Sequence, residues 1–270
     1  MHSVEQHLLP LAQWIKRRKP DKPLVVGMNG AQGSGKSTTT AALAIMLKHS
    51  GLSVATLSID DLYLTRLQRK VLSEDIHPLL ATRGVPGTHD VEMGIELIQK
   101  LITASGEVPL PRFDKSIDDR LPEKDWPRYL TPVDIVLFEG WCIATPPQSQ
   151  NELLSPMNGL EVQADPNGEW RGFVNSMLAG RYHSLFTLID VVVYLKIPAF
   201  DSILKWRGRQ ERQTFNQSCK PEEGMNAEQL TRFIQHFERL TRHSMEKLPE
   251  LADVMLELDG QQKIIQSHYR

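Results

Sequence analysis

The chain has 270 residues, room for one large α/β domain or two small ones. Hydrophobic residues make up 40%, charged residues 24% and the net charge is −2, so no global positive field exists to hold nucleic acid or an anionic membrane. No apolar run is long enough to cross a bilayer, and Met1-His2-Ser3-Val4-Glu5 has no basic segment leading into an apolar core, which predicts a cytoplasmic protein. Cys142 and Cys219 are far apart, which excludes a disulfide framework or a zinc site of recognisable spacing and reads as two reduced, buried thiols.

Residues 4–18, within an N-terminal segment 1–22, read as an amphipathic helix with Leu8, Leu11, Ala12 and Ile15 on one side, although Pro10 interrupts its first half. Lys16-Arg17-Arg18-Lys19 follows as a solvated helix end whose cations oppose the negative dipole. Pro20 and Pro23 break the chain before a buried strand over 24–28. A helix over 36–49 closes at Gly51, and 53–59 reads as a second strand. A helix over 91–103 stops near Gly106, and Asp134 precedes a strong strand over 135–138. Residues 144–170, rich in Pro, Asn and Gln, read as a surface excursion. A strand over 189–195, helices over 200–215 and 227–247, and a last strand over 253–258 complete the chain. Strands alternating with helices predict an α/β fold, a mostly parallel sheet with helices on both faces.

Gly30-Ala31-Gln32-Gly33-Ser34-Gly35-Lys36-Ser37 fits G-x-x-x-x-G-K-[ST] and lies between a predicted strand and a predicted helix, the context that confirms a phosphate-binding loop. Its glycines let the backbone wrap an anion, and successive N–H groups and the helix N-terminus, with Thr38 in its first turn, point at the phosphates. Lys36 adds a point charge for the β- and γ-phosphate oxygens of a nucleotide, and Ser37 is suited to ligate Mg²⁺. Glu139 ends the strand over 135–138 and is the matching acid for the Mg²⁺ shell. The loop alone shows nucleotide binding and not chemistry.

Ser58-Ile59-Asp60-Asp61-Leu62-Tyr63 sets two carboxylates at the end of the second strand. In an extended strand neighbours point to opposite faces, so one of the pair is expected to face the γ-phosphate, orient an attacking hydroxyl and meet the metal. Gly84, Pro86 and Gly87 impose a tight loop presenting Thr88, His89 and Asp90, with Asp90 either bonding a substrate hydroxyl or capping the next helix. Arg112 and Lys115 flank Asp114, and a guanidinium there either pairs with a substrate carboxylate or joins a solvated ion-pair cluster; Arg120 is a second guanidinium nearby. Lys205-Trp206-Arg207-Gly208-Arg209-Gln210-Glu211-Arg212 is dense in arginine on a predicted helix, with Trp206 read as a packing anchor.

The phosphate-binding loop with Asp60-Asp61-Leu62-Tyr63 resembles the phosphoribulokinase, uridine kinase and pantothenate kinase superfamily, with Leu62 where that pattern has an aromatic residue. Arg83-Gly84-Val85-Pro86-Gly87-Thr88-His89-Asp90, Pro111-Arg112-Phe113-Asp114-Lys115-Ser116 and Phe237-Glu238-Arg239-Leu240-Thr241-Arg242 narrow the likeness to the plant-type D-glycerate 3-kinase family and its uncharacterised relatives. The resemblance implies the P-loop nucleoside triphosphate hydrolase fold in one kinase domain over 1–270, with an acceptor-binding region at about 62–130 and a lid at about 200–220. It implies ATP and Mg²⁺ as cofactors and a small-molecule acceptor. Asp60 and Lys36 would be catalytic together with a lid arginine among Arg207, Arg209 and Arg212, with Arg209 the expected one. Asp61, Tyr63, His89, Asp90, Arg112, Asp114 and Lys115 would line the acceptor side. The implied product is 3-phosphoglycerate; acceptors of nucleoside, sugar phosphate or pantothenate type, and a nucleotide-dependent ATPase or switch, are the competing readings. No N-K-x-D or L-S-G-G-Q element is present, which favours a kinase over those last two.

Overall fold

A computed structural model of the chain describes residues 4–19, 21–217 and 226–270, with the side chains of 210–217 outside that description; Cys219 and the Arg212 side chain therefore lie outside the described residues. A π-helical turn over Val4–Leu8 runs into α1 (Leu9–Arg18), whose first turn holds Pro10 where no intrahelical N–H bond is needed. Next come β1 (Leu24–Gly30), α2 (Lys36–His49), β2 (Val54–Ser58), α3 (Arg66–Asp75) and α4 (Val91–Thr103). Short strands β3 (Gly106–Pro109), β4 (Phe113–Asp114), β5 (Asp119–Arg120) and β6 (Arg128–Thr131) precede β7 (Ile135–Gly140). Four short helices follow, α5 (Gln150–Leu153), α6 (Gly159–Ala164), α7 (Glu169–Met177) and α8 (His183–Phe186). The chain ends with β8 (Val191–Lys196), α9 (Asp201–Gln217), α10 (Ala227–Leu251), β9 (Val254–Leu258) and β10 (Ile264–Tyr269). Among the described residues no helix is long and apolar enough to cross a membrane.

The central sheet has six strands in the order β10-β9-β8-β1-β7-β2, parallel except for β10. Because β1 is buried along its whole length, its alternate residues enter two cores. Leu24, Val26 and Met28 pack with α1, α2 and α9 on one face, and Val25 packs with α4 and α7 on the other. Two cations of the basic run that ends α1 are tied down: Arg18 stacks 4.3 Å over Trp14 and Lys19 pairs with Asp134 at 3.1 Å. β10 escaped the sequence reading because a bulge breaks its alternation and Ile264 alone is buried.

Residues 144–170 are not a surface excursion. Leu153, Leu160 and Trp170 are buried, and so are Glu161 and Asp165. Their charges survive burial because each is paired: Arg171 meets Asp165 at 2.9 Å, and Arg239 of α10 forks onto both Glu161 oxygens at 2.7 Å. Arg239 also donates to the carbonyls of Glu152 and Ser155, fastening the segment to α10. Breaking one side of such a pair leaves an uncompensated charge. Arg239→Met is expected to destabilise the fold by about 3–5 kcal/mol in denaturant titrations, and adding Glu161→Leu to recover most of it. A single variant within about 0.5 kcal/mol of wild type would contradict this role.

Candidate active site

The carboxyl ends of β1, β7 and β2 converge on one cleft, the usual site of ligand binding in a parallel sheet. After β1 the loop 31–35 turns into α2 at Lys36. Gly33 and Gly35 hold φ of +75° and +84°, and a Cβ on Gly33 would lie 3.1 Å from that of Trp206. Trp206 is buried, donates to the Gly260 carbonyl at 3.0 Å, and so packs the loop from behind. Ala31 is buried beside it, and Gly30 sits against Ser34, where a Cβ would meet Oγ at 2.7 Å. Ser34 Oγ and both amide atoms of Gln32 are buried with no partner among the described residues. Unsatisfied donors at the N-terminus of a 14-residue helix suit a polyphosphate. Thr38 is exposed in the first turn of that helix.

Register sets the acid beside the loop: Met28 of β1 pairs with Glu139 of β7, which pairs in turn with Ser58 of β2. Glu139 is buried, accepts from Ser37 Oγ at 2.8 Å, and keeps Oε2 without a partner. Among the described residues no cluster of three or more His, Cys, Asp or Glu is placed to hold a metal by itself. That donor set fits Mg²⁺, which takes one or two protein oxygens and fills its shell with phosphates and water.

Asp60 and Asp61 do not alternate along a strand. β2 ends at Ser58, and Ile59–Leu62 form a 3-10 turn capped by the Ser58 hydroxyl, so both carboxylates stay at the sheet's end and find different partners. Asp60 accepts from Lys115 Nζ at 2.6 Å and from the Tyr63 hydroxyl at 3.0 Å. Burial pushes its pKa up, but the Lys115 and Lys36 ammoniums outweigh burial and hold the carboxyl well below the usual range. Asp61 accepts from Arg112 Nη1 at 3.0 Å and the Phe113 N–H at 3.1 Å, and burial leaves its pKa raised despite Arg112. Arg112 and Asp61 thus hold one another, and Arg112 also caps the Pro111 carbonyl at 2.9 Å; neither faces the cleft as an acceptor-binding group.

Tyr63 lines the cleft, but two other expected acceptor residues back it up. His89 stacks on Tyr63 with ring centroids 4.5 Å apart and reaches the Tyr182 hydroxyl at 2.5 Å. That hydroxyl also accepts the Gly87 N–H at 3.0 Å, and burial keeps the His89 imidazole neutral with a pKa pushed down to about 3. Asp90 caps α4 by accepting from the Met93 N–H and pairs with Arg120 at 3.5 Å. Asp114 binds the Ser116 N–H at 2.8 Å, turned away from the cleft.

The cleft itself is lined by Gln32, Lys36, Asp60, Tyr63, Lys115 and Arg207, with Arg83, Trp141, Phe233 and Phe237 completing its wall. Of the three expected lid arginines, Arg207 is the one described there, its guanidinium 5.8 Å from the Phe233 ring; Arg209 is exposed on the next part of α9 and does not line it. Arg83 and Phe237 were missed as site residues although both lie inside the recognised stretches. Their signal was Gly84, whose φ of +146° brings its Cα so close to Phe237 that a Cβ would sit 2.5 Å from the ring. The Gly84 carbonyl also accepts from Trp141 Nε1 at 3.0 Å, fixing the loop that carries Arg83.

No family model matches the chain. It is 32% identical over 239 residues to an uncharacterized kinase, mug58, of Schizosaccharomyces pombe, covering 82% of this chain and 81% of that one. It is 30% identical over 224 residues to the chloroplastic D-glycerate 3-kinase of Arabidopsis thaliana, covering 80% of this chain and 46% of the plant protein. The solved structure of a D-glycerate 3-kinase from Cryptococcus neoformans superposes with a TM-score of 0.76 at 25% identity, covering 99% of each chain. The chain therefore belongs to the P-loop kinase family that includes the D-glycerate 3-kinases and their uncharacterized relatives, and it is an ATP-dependent phosphotransferase acting on an alcohol group.

Proposed function

We propose that this kinase moves the γ-phosphoryl group of Mg-ATP to a hydroxyl of a small acid, D-glycerate, giving 3-phosphoglycerate. The observation that carries the reading is the Asp60 carboxylate in one cleft with Lys36 and Lys115, paired to Lys115 at 2.6 Å beside the phosphate-binding loop. The naming of two similar proteins as D-glycerate 3-kinases supports the acceptor. The chain acts as one kinase unit, with the acceptor region at about 62–130 and the lid at about 200–220, of which 218–220 lie outside the described residues.

The loop amides and Lys36 bind the triphosphate and offset charge on its β- and γ-oxygens. Ser37 and Glu139 would hold the Mg²⁺ shell, and Mg²⁺ when bound supplies charge neutralisation on the phosphates. Asp60 accepts the hydrogen bond of the acceptor hydroxyl and so aims its oxygen at phosphorus. Tyr63, which donates to Asp60, fixes that carboxylate's rotamer from the other oxygen. Arg207 on the cleft wall adds a cation over the transferring group.

A strongly acidic carboxylate is a weak base but is always ionised, which suits an orienting role at the start of transfer. A coupled ADP-release assay with D-glycerate, pantothenate, uridine and ribulose 5-phosphate is expected to give the highest acceptor-dependent turnover with D-glycerate; equal idle ATP hydrolysis throughout would contradict a kinase reading. Asp60→Asn is expected to lower kcat by on the order of 10²–10⁴-fold while nucleotide affinity by calorimetry stays close to wild type. Lost nucleotide binding would refute the orienting role.

The pH response follows from the ion pair. A carboxylate works only while deprotonated, so activity falls as pH drops through its folded pKa. In the wild type that limb lies well below the ordinary carboxylate range. Lys115→Ala removes the strongest cation opposing burial, so the acidic limb of the pH–rate profile is expected to move upward, toward neutral pH. An unmoved limb would mean that Lys115 does not set the charge state of Asp60.

A further inference from the structure

Arg83, Arg112, Lys115 and Arg120 of the acceptor region face different fates. Arg112 is committed to Asp61 and the Pro111 carbonyl, and Arg120 to Asp90 and the Tyr63 carbonyl. Lys115 sits on Asp60. Arg83 lines the cleft with its side chain 26% exposed, and among the described residues its one hydrogen-bond partner is Asp118.

That partner is built to aim Arg83 and not to neutralise it. Asp118 also receives Arg69, which donates to Oδ1 at 3.2 Å, Oδ2 at 2.7 Å and the main-chain carbonyl at 2.9 Å. Two guanidiniums on one carboxylate leave a net positive charge. Arg69 is buried, so the exposed share of that charge belongs to Arg83. Asp118 holds φ of +54°, an uncommon conformation for a residue with a side chain. Phe113 supports the pair, with both guanidinium carbons 5.6 Å from its ring, and its edge meets Tyr63 at 5.2 Å. A guanidinium with donors left over, in the same cleft as Asp60, is a receptor for a planar anion.

We propose that Arg83 binds the carboxylate of the acceptor and makes the enzyme select small hydroxy acids over neutral alcohols. The assignment rests on Asp60 orienting the acceptor hydroxyl, and it places the two ends of one small molecule on Asp60 and Arg83. Arg83 is a substrate-binding residue; Asp118 and Arg69 position it.

The test is steady-state kinetics of wild type, Arg83→Gln and Arg83→Lys with D-glycerate, its amide, pantothenate and glycerol. Wild type is expected to favour the acids over the amide and glycerol. Arg83→Gln is expected to lose roughly 10- to 100-fold in kcat/KM for the acid, mainly through KM, and Arg83→Lys to keep part of it. The acid-over-amide preference should fall toward one in Arg83→Gln, a change that a merely loosened fold does not produce. Turnover of pantothenate without D-glycerate would end the D-glycerate reading, and Arg83 would then be judged on pantothenate. An acid KM unchanged in Arg83→Gln, or a wild type that favours neutral acceptors or takes neither acid, overturns the proposal.

Discussion

The site depends on a carboxylate kept charged where burial alone would protonate it. Asp60 sits at the end of β2 under partial cover, 23% exposed, and two ammoniums hold it ionised. Each of those cations comes from a different part of the chain: Lys36 from the start of α2 and Lys115 from the loop after β4. The sheet brings them together. Parallel strands with crossover helices deliver all their carboxyl ends to one edge, so the phosphate loop, Glu139 and the Asp60 turn arrive at one level without long-range design of each contact.

Two layers of packing keep this arrangement in place. Behind the phosphate loop, Trp206 fills the space that a side chain on Gly33 would need and anchors the first half of α9 in the core. Behind the Tyr63 side of the cleft, backbone bonds join Leu62 to Asp90 and Leu64 to Thr88, and the His89–Tyr63 stack rests on Tyr182. The buried Arg239–Glu161 pair then ties 144–170 to α10, the helix that supplies Phe233 and Phe237 to the cleft. Charged residues that look catalytic in a motif therefore divide into those that face the cleft and those that hold its walls.

That division explains what the sequence could reveal. The phosphate loop was legible because its function is written in backbone demands that few residues meet, and the helix over 36–49 has those same bounds in the fold. Glu139 was legible because an acid ending an apolar strand is conspicuous. The roles of Arg83 and Arg112 were not, since either guanidinium suits a carboxylate and nothing local says which one it finds far along the chain; Arg112 found Asp61, 51 residues away, and Arg83 found Asp118, 35 residues away. The turn at Asp60-Asp61 was read as strand because apolar runs do not announce where extension stops. Segment 144–170 was read as exposed because its polar composition hides that its charges are paired inside.

The charge state of Asp60 can be observed directly. Carbon-13 labelling of the aspartate carboxyls, with the Asp60 resonance assigned by comparison with Asp60→Asn, follows its chemical shift as pH is lowered. A carboxyl that stays ionised through the whole ordinary carboxylate range is the predicted result. A resonance that titrates within or above that range would contradict the account, because the acceptor hydroxyl would then meet a partly protonated partner.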